Sequence, residues 1–308
     1  MSLSILLTGA NGFVGSHLAR WALADGCAVT AVVRPRSNLY RLADIRERLD
    51  VVEADLQCAD ALEIPLRKKI PDIAVHLAWY TEPGGRCLWA PENIECLTGS
   101  LALLHRLYDI GCPRIVLAGT SVEYAPSTGH VSEASPPRPA NLYAAAKHAL
   151  FLTASQFDPH GGWQVATARM FSLYGPWEDP RRLVPFVIGK LLAAEPCDLT
   201  TGEQIRDYLH VEDCAAAVWA IAKSTVTGPV NVGSSQPASV ASVATQLGKI
   251  LGRSELLRFG ARPSAPDAAA SLVANTDRLR GEIGWRPGYD LTTGLEQTVD
   301  WWRARRRV

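Results

Sequence analysis

Near its start the chain reads Ile5-Leu-Leu-Thr-Gly9-Ala-Asn-Gly12-Phe-Val-Gly15. An apolar run ends in three glycines, and from Phe13 onward Val14, Leu18, Trp21 and Ala22 recur at helical spacing. That order predicts strand, tight turn and helix. Gly9 permits the turn, Gly12 lets backbone N–H groups approach an anion, and Gly15 lets the helix pack close to the sheet; the helix N-terminus adds partial positive charge. Glycine also marks ordinary turns, but a strand before and a helix after give this triplet the chemistry of a pyrophosphate site. A dinucleotide is therefore expected at Gly9, Asn11, Gly12, Phe13, Val14 and Gly15.

Working outward, aliphatic or β-branched runs at 28–33, 51–52, 73–77 and 114–118 alternate with helical stretches near 39–48, 91–110 and 142–157. Near-continuous apolar strands alternating with helices predict a parallel sheet covered on both faces. With right-handed crossovers the simplest result is an α/β, Rossmann-like doubly wound sheet. Beyond about residue 170, Pro and Gly cluster and shorter helices are expected at 183–194, 211–222, 239–251 and 291–303. The expected division is 1–170 for the dinucleotide and the chemistry, and 171–308 mainly for a smaller C-terminal substrate lobe, with some segments returning to the first domain. The terminal Arg303, Arg305, Arg306 and Arg307 read as a solvated helix end.

Composition narrows the class. The 308 residues carry 31 Lys+Arg against 31 Asp+Glu, so the broad basic footprint of a nucleic-acid or acidic-membrane binder is absent. No apolar run reaches the roughly 18 residues of a membrane span, and the N-terminus reads as a first strand, not a signal peptide. The seven cysteines are odd in number, scattered and never spaced Cys-x-x-Cys. They fit buried reduced thiols better than disulfides or zinc, so no metal and a cytoplasmic location are expected.

At the second strand's end, where an acidic residue would meet the ribose hydroxyls of NAD, the chain reads Val33-Arg34-Pro35-Arg36-Ser37. Arg34 and Arg36 could pair with a 2′-phosphate, which an Asp would repel. NADP(H) is favoured over NAD(H) on that ground, against the plainer reading of two solvated arginines. Asp55 and Leu56 end the third strand, where Asp55 could accept from an adenine amine; Leu77 and Ala78, after His76, would lie along the cofactor.

Tyr143 and Lys147 sit one helical turn apart on one face. An ammonium beside a phenol favours the phenolate and draws its pKa down from about 10. Alone, such a pair is commonly structural. Upstream, however, Ala118-Gly-Thr120-Ser121 puts a hydroxyl at the carboxyl edge of the sheet, where ligands of such folds bind.

These features together resemble the extended short-chain dehydrogenase/reductase family, in its nucleotide-sugar branch of epimerases, dehydratases and ketoreductases. The likeness rests on Thr8–Gly15, Val75-His-Leu-Ala78, Thr120 with Tyr143 and Lys147, Ala168-Arg-Met-Phe-Ser-Leu-Tyr-Gly-Pro176, and Gly202-Glu-Gln-Ile-Arg-Asp-Tyr-Leu-His-Val-Glu-Asp213. It implies Tyr143 as acid/base, Lys147 as its electrostatic partner and a ligand of the nicotinamide ribose, and Thr120 as the carbonyl-orienting hydroxyl. It also implies a sugar nucleotide, with Arg206 on the diphosphate, Arg182, Leu183 and Val184 in the nucleotide-binding segment and Arg262 as a further phosphate or ribose contact. From the residues alone Arg206-Asp207 reads as a surface ion pair, and His210 as a helix entry. A homodimer through the helices 91–110 and 142–158 is implied by the same resemblance.

Two departures narrow the reaction. The family's 4,6-dehydratases carry Asp-Glu directly after the strand-end Thr; here the positions hold Ser121 and Val122, and valine transfers no proton. Glu123, one residue on, is expected to point elsewhere. Ser172 replaces the usual Asn of the Arg-x-Phe-Asn motif, and Trp79, Tyr80 and Trp177 are candidates for shaping an altered pocket. Ketoreduction and epimerisation remain. The arginines after the second strand favour an NADP(H)-dependent 4-ketoreductase of a nucleotide-linked deoxysugar, with an NAD-dependent C4 epimerase second and a non-catalytic NADP sensor third.

Overall fold

The strands assemble by burying both faces of aliphatic runs too apolar for a solvated surface. In the computed structural model, which describes residues 2–57, 62, 66, 69–125, 129–157, 162–263 and 271–306, the first half supplies β1 (Ser4–Thr8), β2 (Ala28–Val33), β3 (Asp50–Glu53), β4 (Ile73–His76), β5 (Arg114–Thr120), β6 (His130–Val131) and β7 (Gln164–Met170). The remainder supplies β8 (Ser172–Tyr174), β9 (Cys197–Asp198), β10 (Ile205–His210), β11 (Gly228–Val232), β12 (Pro237–Ser239), β13 (Leu257–Arg258) and β14 (Ser271–Ala274). Helices are α1 (Phe13–Ala24), α2 (Glu92–Asp109), α3 (Leu142–Gln156), α4 (Leu183–Leu192), α5 (Val211–Lys223), α6 (Val240–Leu251), α7 (Asp277–Gly281) and α8 (Leu291–Arg306).

Seven strands form the main sheet in the order β11-β7-β5-β4-β1-β2-β3, every neighbour parallel. Strand order reverses between β1 and β4, which makes the crevice above their carboxyl ends the ligand-binding switch point of such a fold. On one face Leu18 and Ala22 of α1 pack with Val218 and Trp219 of α5; on the other, Leu103, Leu104 and Leu107 of α2 and Leu150 of α3 cover Leu6, Ile115 and Leu117. A smaller lobe is built around β10, which pairs with β8, β12 and β14. Its own core joins Tyr174, Val187, Leu191, Val243, Leu247 and Leu295.

Strands β1–β5 and the longer helices fall within a few residues of expectation, whereas the short strand β6 and the strands from β8 onward lie outside it; three further differences stand out. Residues 39–48 form two short 3₁₀ turns, Tyr40–Leu42 and Arg46–Arg48, not one helix; Leu42, Ile45 and Leu49 all enter the core and pin the chain down as it returns to β3. The strand β7 carries no distinctive run, because its Ala, Thr and Arg residues are buried by neighbours on both sides. Of the C-terminal arginines, Arg307 and the Arg306 side chain lie outside the described residues, and the other two are not simply solvated. Arg305 lies 3.4 Å over the Trp177 ring and 4.5 Å from the Trp301 centroid, and Arg303 pairs with Asp300. Six cysteines, all but Cys58 (outside the described residues), are free, and five are buried.

Candidate active site

The glycine turn has no room for side chains. A Cβ on Gly15 would stand 2.1 Å from the Gly9 carbonyl oxygen, and one on Gly9 would stand 2.8 Å from the Ala78 nitrogen. Gly9 takes φ +69°, and the Gly12 N–H closes the turn onto Gly9 O at 2.9 Å. The first turn of α1 carries no acidic residue and no side-chain cap. Its free N–H groups and dipole fit a pyrophosphate, with Asn11, Phe13 and Val14 half-buried around it. Leu77 and Ala78 come up beside Gly9. His76 does not face this space. It is fully enclosed, joining Thr8 Oγ1 and Ser100 Oγ at 2.7 Å each, and burial lowers it to about 3, so it is a neutral tie between β1, β4 and α2.

Arg34 and Arg36 are exposed at the end of β2, and neither side chain has a hydrogen bond or ion pair among the described residues. Arg36 adopts φ +59°. Asp55 is exposed and accepts the Gln57 N–H at 3.0 Å, while the Leu56 carbonyl approaches α2 at Gly99, where a Cβ would lie 2.9 Å away. Gly99 belongs to this side of the site, yet a single helix glycine gave no sign of it.

Asn141 Oδ1 caps α3 by accepting the Ala144 N–H at 2.9 Å, fixing where the helix begins and so where its first two turns point. Tyr143 and Lys147 lie there, facing Thr120 at the end of β5. The nearby Thr120 side chain draws the Tyr143 phenol down, but burial outweighs this and pushes it up to about 12. This reverses the expectation that the ammonium draws the phenol down. Lys147 is itself lowered to about 7 by burial, and its Nζ donates to the Ala118 carbonyl at 2.9 Å beneath the Trp79 ring, 3.9 Å from the centroid. Trp79 also meets Tyr143 edge-on and donates from Nε1 to Asn93 Oδ1.

Glu123 is the residue whose importance the sequence concealed. Its fully buried carboxylate accepts the Thr120 N–H at 2.8 Å and Arg169 Nε at 3.0 Å, and lies 3.4 Å from His148 Nδ1. It is also the main influence keeping Lys147 charged against burial. Arg169 and His148 are 46 and 25 positions away, so no local pattern could reveal the cluster. Ser121 is buried and Val122 half-buried beside Thr120.

The smaller lobe divides the remaining candidates. Leu183 and Arg262 line a cavity of about 440 Å³ with Phe186, Leu199 and Val240, and Arg262 stands 6.0 Å over the Phe186 ring. Val184 does not reach it, being 2 % exposed and packed in the lobe core. Arg182 lies instead toward the catalytic cleft, where it donates to Thr81 O at 3.5 Å and favours the ionised form of Tyr143. Arg206 is half-buried, its Nη1 donating to the Ile205 carbonyl, and Ser172 is half-buried on β8. Asp207 is no surface partner for Arg206: it is wholly buried and accepts from Ser234 N and Oγ, Ser235 N and Ala274 N. His210 caps α5. Tyr80 donates to Glu82 at 2.5 Å; Trp177 lies outside the cleft, lining a second cavity of about 380 Å³ with Trp301 and Arg305. Among the described residues no three His, Cys, Asp or Glu side chains gather as metal ligands, and no helix is long and apolar enough to cross a membrane.

The sequence profile of the NAD dependent epimerase/dehydratase family matches residues 5–233. The chain belongs to that family. It sits in the family's extended short-chain dehydrogenase/reductase, nucleotide-sugar branch, whose members are enzymes. Among relatives, a dTDP-glucose 4,6-dehydratase of Xanthomonas campestris pv. campestris is 27% identical over 96% of this chain and 92% of its own. A dTDP-4-dehydro-6-deoxy-D-allose reductase of Streptomyces bikiniensis is also 27% identical, over 99% of this chain and 97% of its own. A solved Thermus thermophilus UDP-glucose 4-epimerase in complex with NAD superposes with a TM-score of 0.86 at 25% identity, over 98% of this chain and 99% of that one.

Proposed function

We propose that this family member reduces the 4-keto group of a nucleotide-linked deoxysugar with NADP(H). The observation that carries the choice is the exposed pair Arg34 and Arg36, unengaged by other described side chains, at the strand end where an acidic residue would select NAD. Ser121 and Val122 in place of a proton-transferring Asp-Glu pair argue against 4,6-dehydration.

A bound nicotinamide would supply the hydride, with the glycine turn, Asp55, Leu56, Leu77, Ala78 and Lys147 along the dinucleotide. Thr120 orients the keto oxygen and Tyr143 gives it a proton. A phenol held at about 12 stays protonated at working pH, which suits a donor better than a base. Lys147, supported by Glu123, stabilises the phenolate left behind. The sugar nucleotide spans Ser121 and Ser172 to Arg182, Leu183, Arg206 and Arg262, so that 1–170 handles the dinucleotide and 171–308 mainly the substrate. Association as a homodimer through 91–110 and 142–158 is part of the reading; Ile94 and Leu152 are exposed apolar residues on those helices. So is a cytoplasmic location.

The second reading is an NAD-dependent C4 epimerase, favoured by the solved epimerase complex with NAD. Stoichiometric NADPH oxidation by a 4-keto sugar nucleotide supports the reductase. Dinucleotide retained through purification, with interconversion of C4 epimers and no net oxidation, would replace it with the epimerase. Binding of NADP without turnover of any sugar nucleotide would favour the sensor.

A further inference from the structure

We infer that Glu178 is a specificity-determining residue of the same site, accepting a hydrogen bond from a hydroxyl of the nucleotide-linked sugar; this rests on the reading that a sugar nucleotide enters the cleft. Among the described residues, other carboxylates buried as whole side chains have partners. Glu123 and Asp207 have the partners already described, and Asp213 accepts the Gly288 and Tyr289 N–H groups at 2.9 Å each. Two carboxyls have a buried Oε2 that accepts no hydrogen bond from the described residues, Glu92 on a half-exposed residue at the start of α2 and Glu178, and of the two only Glu178 is buried as a whole, at 8 % exposed. A buried acceptor without a donor is costly, and native proteins keep few of them.

The chain goes to some trouble to put it there. Between β8 and α4, Gly175 takes φ +144° and Trp177 φ +70°, a conformation that side chains rarely adopt. The turn is gripped from the side of the glycine loop. His17 Nε2 meets the Pro176 carbonyl at 3.2 Å, and Arg41 donates to the Trp177 carbonyl at 3.1 and 2.9 Å. With the Pro176 carbonyl turned toward α1 and the Trp177 carbonyl toward the 3₁₀ turn Tyr40–Leu42, the next side chain, Glu178, is buried.

Its surroundings connect it to the cleft. Arg182 favours the charged form of both Glu178 and Tyr143, so it stands within electrostatic reach of each. Tyr208 of β10 feels the Glu178 charge from the lobe side. Burial disfavours the charged form of this carboxyl, so the ligand group that suits it is a neutral hydroxyl of the sugar and not a charged phosphate. Burial also pushes the Glu178 carboxyl well above its ordinary range, which leaves it able to meet a hydroxyl as acceptor or donor.

The test compares wild type with Glu178→Leu and Glu178→Gln, measuring affinity for UDP-glucose and dTDP-glucose against UDP and dTDP by calorimetry, with melting temperature alongside. Glu178→Leu should weaken the sugar nucleotide that wild type binds by roughly tenfold or more, the value of one hydrogen bond to a carboxyl. Affinity for the matching nucleoside diphosphate should stay within about twofold, because that ligand lacks the sugar. Glu178→Gln should recover part of the loss, and neither variant should melt below wild type, since each removes a buried unpaired carboxyl. Unchanged sugar-nucleotide affinity in Glu178→Leu overturns the assignment. So does an equal loss of both ligands with a lowered melting temperature, which marks a structural role. Binding of neither sugar nucleotide by wild type would overturn the proposed function and this inference together.

Discussion

Replacing Lys147 with Met should stabilise the protein while disabling it. Burial lowers this lysine from 10.5 to about 7, a difference of roughly 5 kcal/mol held against the folded state at neutral pH. The bond to the Ala118 carbonyl and the Trp79 face offset about 1–2 kcal/mol of that. A methionine of similar length fills the space without the charge, for a net gain of about 3 kcal/mol. With a urea dependence of about 3 kcal/mol per molar, the unfolding midpoint should rise by about 1 M at pH 7. The sign with pH is fixed by linkage. Between pH 7 and 10.5 the unfolded lysine keeps a proton that the folded one sheds, so wild-type stability rises through that window. The advantage of Lys147→Met should therefore shrink toward pH 10 and be nearly gone there. A variant no more stable than wild type at pH 7, or a gain that persists at pH 10, would refute the reasoning. Such a result would mean that the ammonium is better solvated or better paired than its burial allows.

Tyr143→Phe should cut turnover by about 10²–10⁴ with sugar-nucleotide affinity nearly intact, measured by single-turnover kinetics beside calorimetry. Arg34→Asp combined with Arg36→Ser should move the NADPH/NADH preference, read as the ratio of kcat/KM values, at least about tenfold toward NADH through the lost phosphate contacts. Glu123→Ala leaves Arg169 buried without its carboxylate and should cost about 3–5 kcal/mol in urea unfolding.

How far the sequence carried the reading follows from how local each signal is. Thr8 to Gly15 announces a strand, a turn and a helix within one short stretch, and Tyr143 to Lys147 is a single helical turn. Both stood where their spacing put them. What escaped were groups defined by distant partners. Glu123 looks unremarkable beside Thr120 until Arg169 and His148 close on it. Asp207 next to Arg206 suggests a pair, but strand alternation sends its side chain to the opposite face, into the amides of Ser234, Ser235 and Ala274. The 3₁₀ turns in 39–48 carry the same leucines a helix would, and only the short return to β3 decides between them. The pKa reversal at Tyr143 was likewise illegible, since burial is a property of the assembled crevice and not of the Tyr-x-x-x-Lys spacing.

The return of α5 and β11 to the main sheet has a consequence for anyone dividing this chain. A fragment ending at residue 170 would leave β7 as a bare edge, without β11 alongside, and would strip from α1 the helix that packs on it most extensively. Such a fragment should expose a sticky strand edge and a greasy helix flank, and should precipitate or pair with itself. The two lobes are laced together like fingers, so engineering new specificity is better attempted by exchanging the loops of 175–182 and 199–204 in place than by swapping a half-molecule.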